Sequence, residues 1–563
     1  IHTETDFRGS GPNPLVLTRF YSTRTQWRHA RWEESGFGIY WRHNYTRSVV
    51  HFKNAGFEAA TVILANGNRY RFNPQTTGSE ITWQATEPDI TSTLAEITLG
   101  EESYWEFRTE NGDRERYERS SGRLHHVQHG SGFLTSLFYD EDGKLREIQN
   151  GFGRSLKFTY LDNGVGAGLI ESIALHVDDA LVLNSVMRYE YQDTNPHGYS
   201  EMLSKVIFPD ETPEDVLDNP SKVYLYNEPE HIYYDEEWIV DVTDGPSIRS
   251  QNHPTKLTGV IDENGHRVST YKYQRVLFSG GVRYMLPVWG GHGSPDSQGR
   301  YANEYKVTSY HADSHRSDSR SHQGYASIKD ALGTVRQFHF KNRSGVMRPT
   351  KIVGGKCEVC GSQAQQTNYD ASGFVESEVD FGGNKTIYER DDIGLETCRI
   401  EGISVSDPTK NAPRKIVTRW EQRFRVVLEK TSYQAGPSAD LQSCQVDTDD
   451  GWIIRHQETR TYEPDSRRLS SVAQRSFDAN GSEDELPRVT TYSYYGENEQ
   501  DGMPHQLKQV DGPRTDVNDT TTYRYAVSGS AEHNPGDLIA MQNGLGDTTL
   551  MQAHDAFGRP LRI

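Results

Sequence analysis

Long apolar runs and helical periodicity are almost missing from this sequence. No window approaches the roughly 18 uncharged apolar residues that a membrane-spanning helix needs. Apolar residues do not recur at the helical period over any long stretch, and only 7 of the 563 residues are Met. Four Cys are too few for a disulfide framework. We therefore expect neither a membrane-spanning helix nor an α-helical domain.

Basic charge is also in short supply, because 60 Lys and Arg face 80 Asp and Glu, and the formal net charge is −20. An acidic surface repels phosphates, so we expect no nucleic-acid partner. The sequence contains no Gly-x-Ser-x-Gly nucleophile turn and no Gly-rich phosphate loop followed by Lys and Ser or Thr. Carboxylates are abundant, but abundance alone describes a solvated surface. We therefore predict that the chain is not an enzyme, and we assign no catalytic, cofactor-binding or metal-binding residue.

Turns and tyrosines are what the sequence has in quantity, with 50 Gly and 31 Tyr. The stretch Asn368–Gly394 shows the pattern best, as a short strand, a tight turn, a short strand and a second tight turn. It opens with Tyr369 and Asp370, and Gly373 follows. Glycine accepts a positive φ at low cost, and aspartate accepts hydrogen bonds from its own backbone, so both favour a chain reversal. The stretch predicts a β-hairpin building unit that carries no catalytic signature.

This unit recurs at intervals of roughly 20 residues, a spacing typical of repeat proteins. Further copies centre on Tyr139–Gly143, Asp262–Gly265, Asp330–Gly333, Asp511–Gly512 and Asp555–Gly558. One unit cannot bury its own apolar face, so neighbouring units must cover it. No low-complexity linker divides the chain convincingly. We therefore predict an all-β protein with one extended β structure rather than a string of domains.

Residues 1–75 differ from the repeats that follow. They hold a predicted strand pair within Asp6–Ser22 and a Gly-hinged aromatic cluster at Gly36–Asn44, and then a clear hairpin at Val62–Phe72. End units of a repeat array must differ from the others, because one of their faces has no neighbour. We therefore predict that residues 1–75 form an N-terminal capping or plug-like region.

The remainder of the chain divides into two predicted regions. Residues 76–400 form the repeat array, with irregular insertions at about 161–235 and 279–325. Residues 401–563 continue the repeats. The chain begins with Ile1 instead of an initiator Met and ends inside a repeat-like unit, so we expect it to be a piece of a longer protein.

Several of these segments resemble RHS (rearrangement hot spot) proteins. The opening of the chain resembles the start of the RHS core, the Tyr-Asp units resemble the YD repeats, and one later segment is similar to a stretch downstream of the repeats in bacterial members. The segments are Asp6-Phe7, Pro14–Ser22, Gly36–Asn44, Tyr139–Gly143, Tyr369–Gly373, Asp391–Gly394 and Thr418–Arg425. Together they span nearly the whole chain, and their ordered combination is what is specific.

The resemblance implies a YD-repeat β-sheet spiral that closes into a hollow shell, or forms a large part of one. In RHS proteins the shell (a β-cage) holds the protein's own C-terminal toxin, and a type VI secretion spike or a toxin-complex partner delivers it in many bacterial members. The implied function is encapsulation and delivery of an interbacterial or insecticidal polymorphic toxin by a secreted effector. Family members self-cleave at an aspartate-based site near the end of the core. We do not find that site here, and the chain stops before any closing plug or toxin domain.

Two other readings stay open. The first is a cell-surface adhesion or recognition protein built on the same YD-repeat shell. The second is a β-rich carbohydrate-active enzyme, which needs two placed carboxylates in a Trp-lined cleft. It ranks last, because the nine Trp are scattered singly.

The mean hydropathy of −0.79 predicts that the sheet forms a thin wall. That value is low for a globule with one dry core and suits a thin sheet that is wet on both faces. Its stability would come from cross-strand side-chain pairs of about 0.2–1 kcal/mol each. A thick, dry core would refute this hypothesis.

The sharpest chemical feature is Cys357-Glu-Val-Cys360, which can bind zinc, exchange electrons or close a local disulfide. A structural zinc site needs four ligands, whereas Cys398 and Cys444 are single and distant in sequence. The sequence therefore does not decide between a zinc site and a disulfide at Cys357 and Cys360.

The histidines offer a second candidate metal site, at His292, His311, His315 and His322. His311 and His315 have the spacing of a helical ligand pair, but their Ser-, Asp- and Arg-rich surroundings predict a loop, where that spacing aligns nothing. We expect His125, His126 and His129 to be surface or lumen residues. The segment Asp262–Gly265 lacks the flanking ligands of a calcium loop, so we predict a turn there.

Overall fold

The protein is almost entirely β-structure, which confirms the predicted fold class. The computed structural model describes residues 2–11, 13–23, 35–77, 80–193, 201–210, 212, 215, 217–233, 255–277, 283–293, 296, 301, 303–312, 323–343, 346–354, 364–407, 411–442, 444, 451–464, 466–484 and 486–563. These residues form 42 strands and two short 3-10 turns, Leu183–Ser185 and Pro229–His231. No helix in this part of the chain is long and apolar enough to cross a membrane.

A small N-terminal sheet precedes the main one and consists of β1 (His2–Arg8), β2 (Val16–Tyr21) and β3 (Trp41–His43). We call the strands that follow, up to residue 277, the first coil: β4 (Ser48–Asn54), β5 (Phe57–Ile63), β6 (Arg69–Thr77), β7 (Glu80–Ala85), β8 (Thr93–Leu99), β9 (Glu102–Arg108), β10 (Arg114–Glu118), β11 (Leu124–Gln128), β12 (Leu134–Tyr139), β13 (Leu145–Asn150), β14 (Arg154–Tyr160), β15 (Ile170–Val177), β16 (Ala180–Leu181), β17 (Met187–Asp193), β18 (Glu201–Ile207), β19 (Ser221–Tyr226), β20 (Ile232–Tyr233), β21 (Leu257–Ile261) and β22 (Arg267–Leu277).

The second coil is our name for the strands from residue 283 to residue 550: β23 (Arg283–His292), β24 (Asn303–Ala312), β25 (Gln323–Asp330), β26 (Val335–Arg343), β27 (Val346–Val353), β28 (Ala364–Tyr369), β29 (Val375–Val379), β30 (Asn384–Arg390), β31 (Glu396–Ser404), β32 (Arg414–Glu421), β33 (Val426–Ala435), β34 (Trp452–Tyr462), β35 (Leu469–Ser476), β36 (Arg488–Tyr494), β37 (Leu507–Asp511), β38 (Thr521–Tyr525), β39 (Leu538–Gln542) and β40 (Thr548–Leu550). A terminal hairpin pairs β41 (Ala553–His554) with β42 (Pro560–Arg562).

The two coils are one continuous sheet, in which strands that follow each other in sequence are mostly neighbours in space. Their pairing is antiparallel, apart from the short parallel contact between β20 and β22. Strands also fill much of the two segments that we predicted to be irregular. Residues 161–235 contain β15 to β20, and residues 279–325 contain β23, β24 and the start of β25. Regular strands thus run through both segments, and the prediction of irregular insertions concerns the loops between them, which include residues outside the described part of the chain.

The Asp-x-x-Gly turns join the strands as the sequence predicts. At Asp370 the backbone N–H bonds the carbonyl oxygen of Phe374, and the Asp370 side chain accepts the Phe374 N–H at 3.0 Å. Gly373, at φ 87°, occupies the left-handed position that closes such a three-residue hairpin loop. Asp262 accepts two backbone N–H groups of its own turn in the same way, which supports a turn rather than a calcium loop.

Tyrosine at the end of a repeat strand ties each hairpin to the one before it. Tyr139 lies opposite Leu145 beside a bulge, and its hydroxyl donates to the carbonyl oxygen of Leu124 at 2.8 Å. Tyr160 in turn donates to the carbonyl oxygen of Leu145 at 2.8 Å. The same bond recurs, as Tyr191 to Ile170, Tyr226 to Leu203, Tyr273 to Leu257, Tyr462 to Val427 and Tyr494 to Leu469. We call this series the tyrosine ladder.

Two positions in the second coil keep the ladder without tyrosine. The Trp420 indole N–H donates to the carbonyl oxygen of Glu396 at 2.8 Å, and Arg390 donates to the carbonyl oxygen of Val375. The structural requirement is therefore a long side chain with a donor at its tip, which explains why the repeats look imperfect in sequence.

The sheet winds back along itself, so that turns of the second coil lie against turns of the first. The contacting pairs are Asp89 with Arg348, Thr91 with Arg425, Arg108 with Arg423, Asp113 with Arg467, Ser131 with Arg468, and Arg154 with Asp537. As the first member moves from residue 89 to residue 154, the second moves from residue 348 to residue 537, with one small reversal at Arg425 and Arg423. The second coil therefore follows the first in the same direction, as in a spiral.

The first coil also bends round onto its own beginning. The Val49 N–H donates to the carbonyl oxygen of Gly122 at 2.9 Å, and Ser48 pairs with Arg123. Gly122 has a φ of 71°, and a side chain there would meet the Val49 carbonyl oxygen at 1.9 Å. Only glycine fits this approach.

Burial differs between the coils. One apolar cluster joins the N-terminal sheet to the first coil and includes Trp41, Trp105 and Val260. The described part of the second coil holds only a small cluster around Ile400, and its strand β34 is half-buried at nearly every position. The thin-wall hypothesis therefore holds for the second coil and is wrong for the first, because β1–β3 cover one face of the first coil.

Candidate functional site

The N-terminal sheet is anchored in the first coil by a fully buried ion pair. Arg19 on β2 donates from Nε and Nη2 to the two carboxylate oxygens of Asp6 on β1, at 2.5 and 2.8 Å. It also donates to the Tyr224 hydroxyl at 2.8 Å, and the Tyr189 hydroxyl donates to Asp6 at 3.0 Å. The Arg19 guanidinium lies 4.7 Å from the centroid of the Trp41 ring. Burial acts to lower the pKa of Arg19, but the Asp6 charge raises it well above its usual value.

Aromatic side chains continue this anchor along the same face. The Trp41 indole N–H donates to the Tyr226 hydroxyl at 2.8 Å. The Tyr21 hydroxyl accepts the Leu257 N–H at 3.0 Å and donates to the carbonyl oxygen of Thr255. Because these polar tips are paired inside an apolar cluster, the sheet is held in one position. We call the sheet β1–β3 the plug.

Two titratable groups of the plug have shifted pKa values. Burial would raise the pKa of Glu4, but hydrogen bonds and charge from His2 and Lys222 lower it to about 2. His43 on β3 is buried, and loss of solvation together with the nearby Arg42 charge lowers its pKa to about 3. Glu4 is therefore charged and His43 neutral at pH 7.

Arginines of the second coil hold the seam between the coils. Arg425 donates to the Thr91 hydroxyl at 2.8 Å and to the Thr91 carbonyl oxygen. Arg468 donates to the Ser131 carbonyl oxygen at 3.1 Å while Glu463 binds its Nε at 2.6 Å. Two of the three bonds to the first coil reach backbone oxygens, and these two depend little on which side chains lie there.

A cleft of about 720 Å³ opens in this seam. It lies between the turn at residues 130–133 of the first coil and strands of the second. Four arginines, one histidine and five large aromatic residues line it: Arg425, Arg460, Arg467, Arg468, His505, Phe133, Trp420, Tyr462, Tyr494 and Tyr525. The cleft is thus basic within a chain of net charge −20. Sequence reasoning missed it, because Arg425 comes from the β32–β33 hairpin and the other three arginines from the β34–β35 hairpin, and only the fold brings both beside the first coil.

Two of the cysteines form a disulfide that the sequence analysis did not predict. Cys398 and Cys444 are buried and form a disulfide with their Cα atoms 5.8 Å apart, across 46 residues of sequence. This bond ties β31 to the segment that precedes β34. Cys357 and Cys360 lie outside the described residues, so zinc or a disulfide there stays a prediction.

The predicted histidine site is described only in part. His292 ends β23, where its Nδ1 lies 3.2 Å from the Ser269 hydroxyl. His311 lies within β24, which corrects the predicted loop at that position, because β24 runs to Ala312. His315 and His322 lie outside the described residues.

The other predicted histidines lie in the first coil. His125 and His126 occupy β11 with their Nδ1 atoms 3.0 Å apart, and His129 lies in the next turn, 3.8 Å from Asp113. Burial and the neighbouring Arg116 charge lower the pKa of His126 to about 4.

A cluster that the sequence analysis did not single out joins Glu228, Glu230 and His231, whose ligand atoms lie within 4.8 Å of one another. Its one sequence signal is the Glu-x-Glu-His spacing. Both carboxylate oxygens of Glu228 already accept hydrogen bonds from Arg267, at 2.8 and 2.7 Å. A guanidinium therefore occupies the side on which a cation would bind, and the donor set does not fit a metal ion.

Comparison with known protein families matches the N-terminal part of the chain. A family described as "Domain of unknown function (DUF6531)" matches residues 1–72, which cover β1–β3 and the first strands of the first coil. No curated protein sequence matches the chain.

Solved structures give distant likenesses only. A crystal structure of TcdB2-TccC3-Cdc42 is 10% identical with a TM-score of 0.30, over 87% of this chain and 25% of that one. A Photorhabdus luminescens Tc holotoxin pore is 10% identical with a TM-score of 0.17, over 88% of this chain and 30% of that one. The N-terminal domain of the effector SpvB from Salmonella typhimurium strain LT2 is 14% identical with a TM-score of 0.15, over 55% of this chain and 95% of that one. This chain therefore spans about a quarter of the length of the first of these structures.

Proposed function

We propose that the chain is the wall of an RHS-type shell that encloses a C-terminal toxin domain and helps to deliver it. One observation carries the proposal. A plug-like sheet is seated in the first coil, and YD-type hairpins then wind on as a second coil that has little core of its own. A thin, polar wall suits a container, because it can face solvent outside and a wet cargo space inside.

The motif resemblance supports the same function. The Tyr-Asp units that resemble YD repeats supply hairpin turns at Asp140 and Asp370, and their tyrosines Tyr139 and Tyr369 donate to backbone carbonyl oxygens. In this proposal the chain acts by enclosure and not by catalysis. Secretion, through a spike or a toxin-complex partner, belongs to the proposal as what the resemblance implies.

Cryo-electron microscopy of the full-length gene product that contains this chain is the direct test. We expect a hollow β-shell with density inside it, and limited proteolysis of the same sample should leave the enclosed segment intact. A solid particle, or an empty shell whose exposed loops bind a cell surface, would contradict the proposal. The second result would favour the adhesion protein.

A further inference from the structure

The cleft in the seam has features of a binding site that packing alone does not explain. Its volume of about 720 Å³ falls within the 300–1,000 Å³ that is typical of ligand pockets. A space of this size accommodates a short peptide segment.

The charge on its lining is one-sided. Among the described lining residues there are four arginines and no carboxylate. Arg460 is bound through Nε to Glu458, Arg468 through Nε to Glu463, and Arg467 lies 3.5 Å from Asp113, but none of these acidic residues lines the cleft. A guanidinium has five N–H donors, so one carboxylate at its back leaves donors for a ligand in front.

Arg425 is the most informative of the four. It is 8% exposed, and it donates hydrogen bonds to two neutral oxygens of Thr91. Burial lowers the pKa of Arg425 more than the charges of Glu110 and Asp391 raise it, so an anion bound in the cleft would stabilise the charged guanidinium.

Aromatic faces complete the lining. The Tyr462 and Tyr494 hydroxyls are occupied by ladder bonds to backbone carbonyls. Their rings therefore offer apolar contact rather than further hydrogen bonds. Arginine donors beside such rings fit carboxylates carried on an apolar backbone, as in an acidic peptide.

We propose that this cleft binds an acidic segment of the enclosed cargo polypeptide. The source of the segment rests on the proposed function, whereas the chemistry rests on the cleft alone. Carboxylates are the anions that a polypeptide supplies, and the acidic remainder of the wall would repel the same segment, so binding would be confined to this place.

Binding of a fluorescein-labelled hexaglutamate peptide, followed by fluorescence anisotropy, tests the chemistry. We expect Arg460→Gln to weaken binding about tenfold, the factor that corresponds to ~1.4 kcal/mol. Arg460 suits this test because it pairs with Glu458 on its own strand and not with the first coil. Arg419→Gln is the matched control, since Arg419 pairs with Glu429 on a neighbouring hairpin outside the cleft. Equal binding by wild type and Arg460→Gln, or stronger competition by inorganic phosphate than by unlabelled hexaglutamate, would overturn the acidic-peptide proposal.

Photo-crosslinking tests the source. Benzoylphenylalanine in place of Phe133, which lines the cleft, should crosslink in the full-length gene product to an acidic stretch of its C-terminal region. Crosslinks to a neutral or basic stretch, or none, would overturn the assignment to cargo. A cage seen by microscopy without such crosslinks would refute this inference and leave the proposed function standing.

Discussion

The two coils are built from the same hairpin unit but are stabilised in different ways. In the first coil the tyrosine and leucine that pair beside a strand bulge are completely buried at Tyr117 and Leu124. In the second coil the equivalent Tyr462 and Leu469 are half-buried. The repeat therefore fixes the strand order and the turns, whereas the plug decides how dry the wall becomes.

This contrast shows how one repeat can serve two tasks. Burial of apolar surface supplies about 25 cal/mol per Å², so the plugged coil gains the larger share of stability. The second coil depends on cross-strand pairs, exposed ion pairs and the disulfide between Cys398 and Cys444. We expect substitutions at equivalent positions to have unequal effects.

The largest difference should come from ion pairs. Asp6→Asn leaves the Arg19 charge buried without its partner, a change that typically destabilises by about 3–5 kcal/mol. Asp516→Asn removes the partner of Arg514 in an exposed pair, and we expect no measurable change in unfolding midpoint. Thermal unfolding of both variants checks this. Equal shifts would mean that the plug does not stabilise the first coil.

Equivalent leucines give the next comparison. Leu124→Ala, at 0% exposure, should destabilise by about 2–5 kcal/mol, the range for a filled core position. Leu469→Ala removes a half-buried side chain at the same repeat position, and we expect less than about 1 kcal/mol. Denaturant unfolding, with a local readout from hydrogen exchange in each coil, measures both. A large effect at Leu469 would reveal a dry second coil.

The disulfide should matter within the second coil only. Replacing Cys398 and Cys444 together by Ala removes a cross-link across 46 residues, and a typical loss is about 2–4 kcal/mol. We expect faster hydrogen exchange in β31 and β34, with β4–β15 unchanged. A reducing agent should have the same effect on the wild type and none on the variant. Uniform loss of protection in both coils would contradict a division between them.

Much of this difference between the two coils could not be predicted from the sequence. The turns were predictable, because Asp370 and Gly373 are dictated by local backbone chemistry. Residues 1–75 were predicted as a capping or plug-like region because they differ from the repeats. The residues that this region contacts were not predicted, because Arg19 and Tyr224 are 205 residues apart and no local pattern links them.

The seam escaped prediction for the same reason. The stretch Thr418–Arg425 resembles a segment of RHS proteins. The hydrogen bond from Arg425 to Thr91 cannot be predicted from that stretch, because only the fold brings the two residues together. The disulfide was likewise missed because Cys398 and Cys444 approach only when β31 and the segment before β34 are in place. The periodicity of the sequence predicts which strands are neighbours within a coil. It does not predict which residues of successive coils are in contact.

Lowering the pH should reduce the free energy of unfolding, because unfolding of the plug lets His43 take up a proton. Its pKa is about 3 when folded against an ordinary value of 6.5, so below pH 6.5 the unfolded state binds one more proton. The folded state therefore loses up to about 1.4 kcal/mol per pH unit from this group as the pH falls towards 3. We expect His43→Asn to flatten the loss between pH 7 and pH 5, measured by denaturant unfolding. Parallel curves for variant and wild type would mean that His43 is accessible to protons in the folded state.

The tyrosine ladder gives the smallest but most specific comparison. Tyr273→Phe removes a hydroxyl that donates to the Leu257 carbonyl oxygen at 2.8 Å in a buried setting, and water cannot readily replace it there. We expect a loss of about 1–3 kcal/mol, the penalty for an unsatisfied buried acceptor.

Tyr494→Phe removes the same bond to Leu469 in the half-buried second coil, at 3.1 Å. Water can reach that carbonyl oxygen, so about 0.5 kcal/mol is expected, near the low end for a net hydrogen bond. The two variants delete the same atom at the same repeat position, so the difference between their unfolding free energies measures what the plug adds to a single ladder bond. If the two variants lost the same unfolding free energy, the plug would stabilise the protein through its own contacts and would not strengthen the ladder bonds of the first coil.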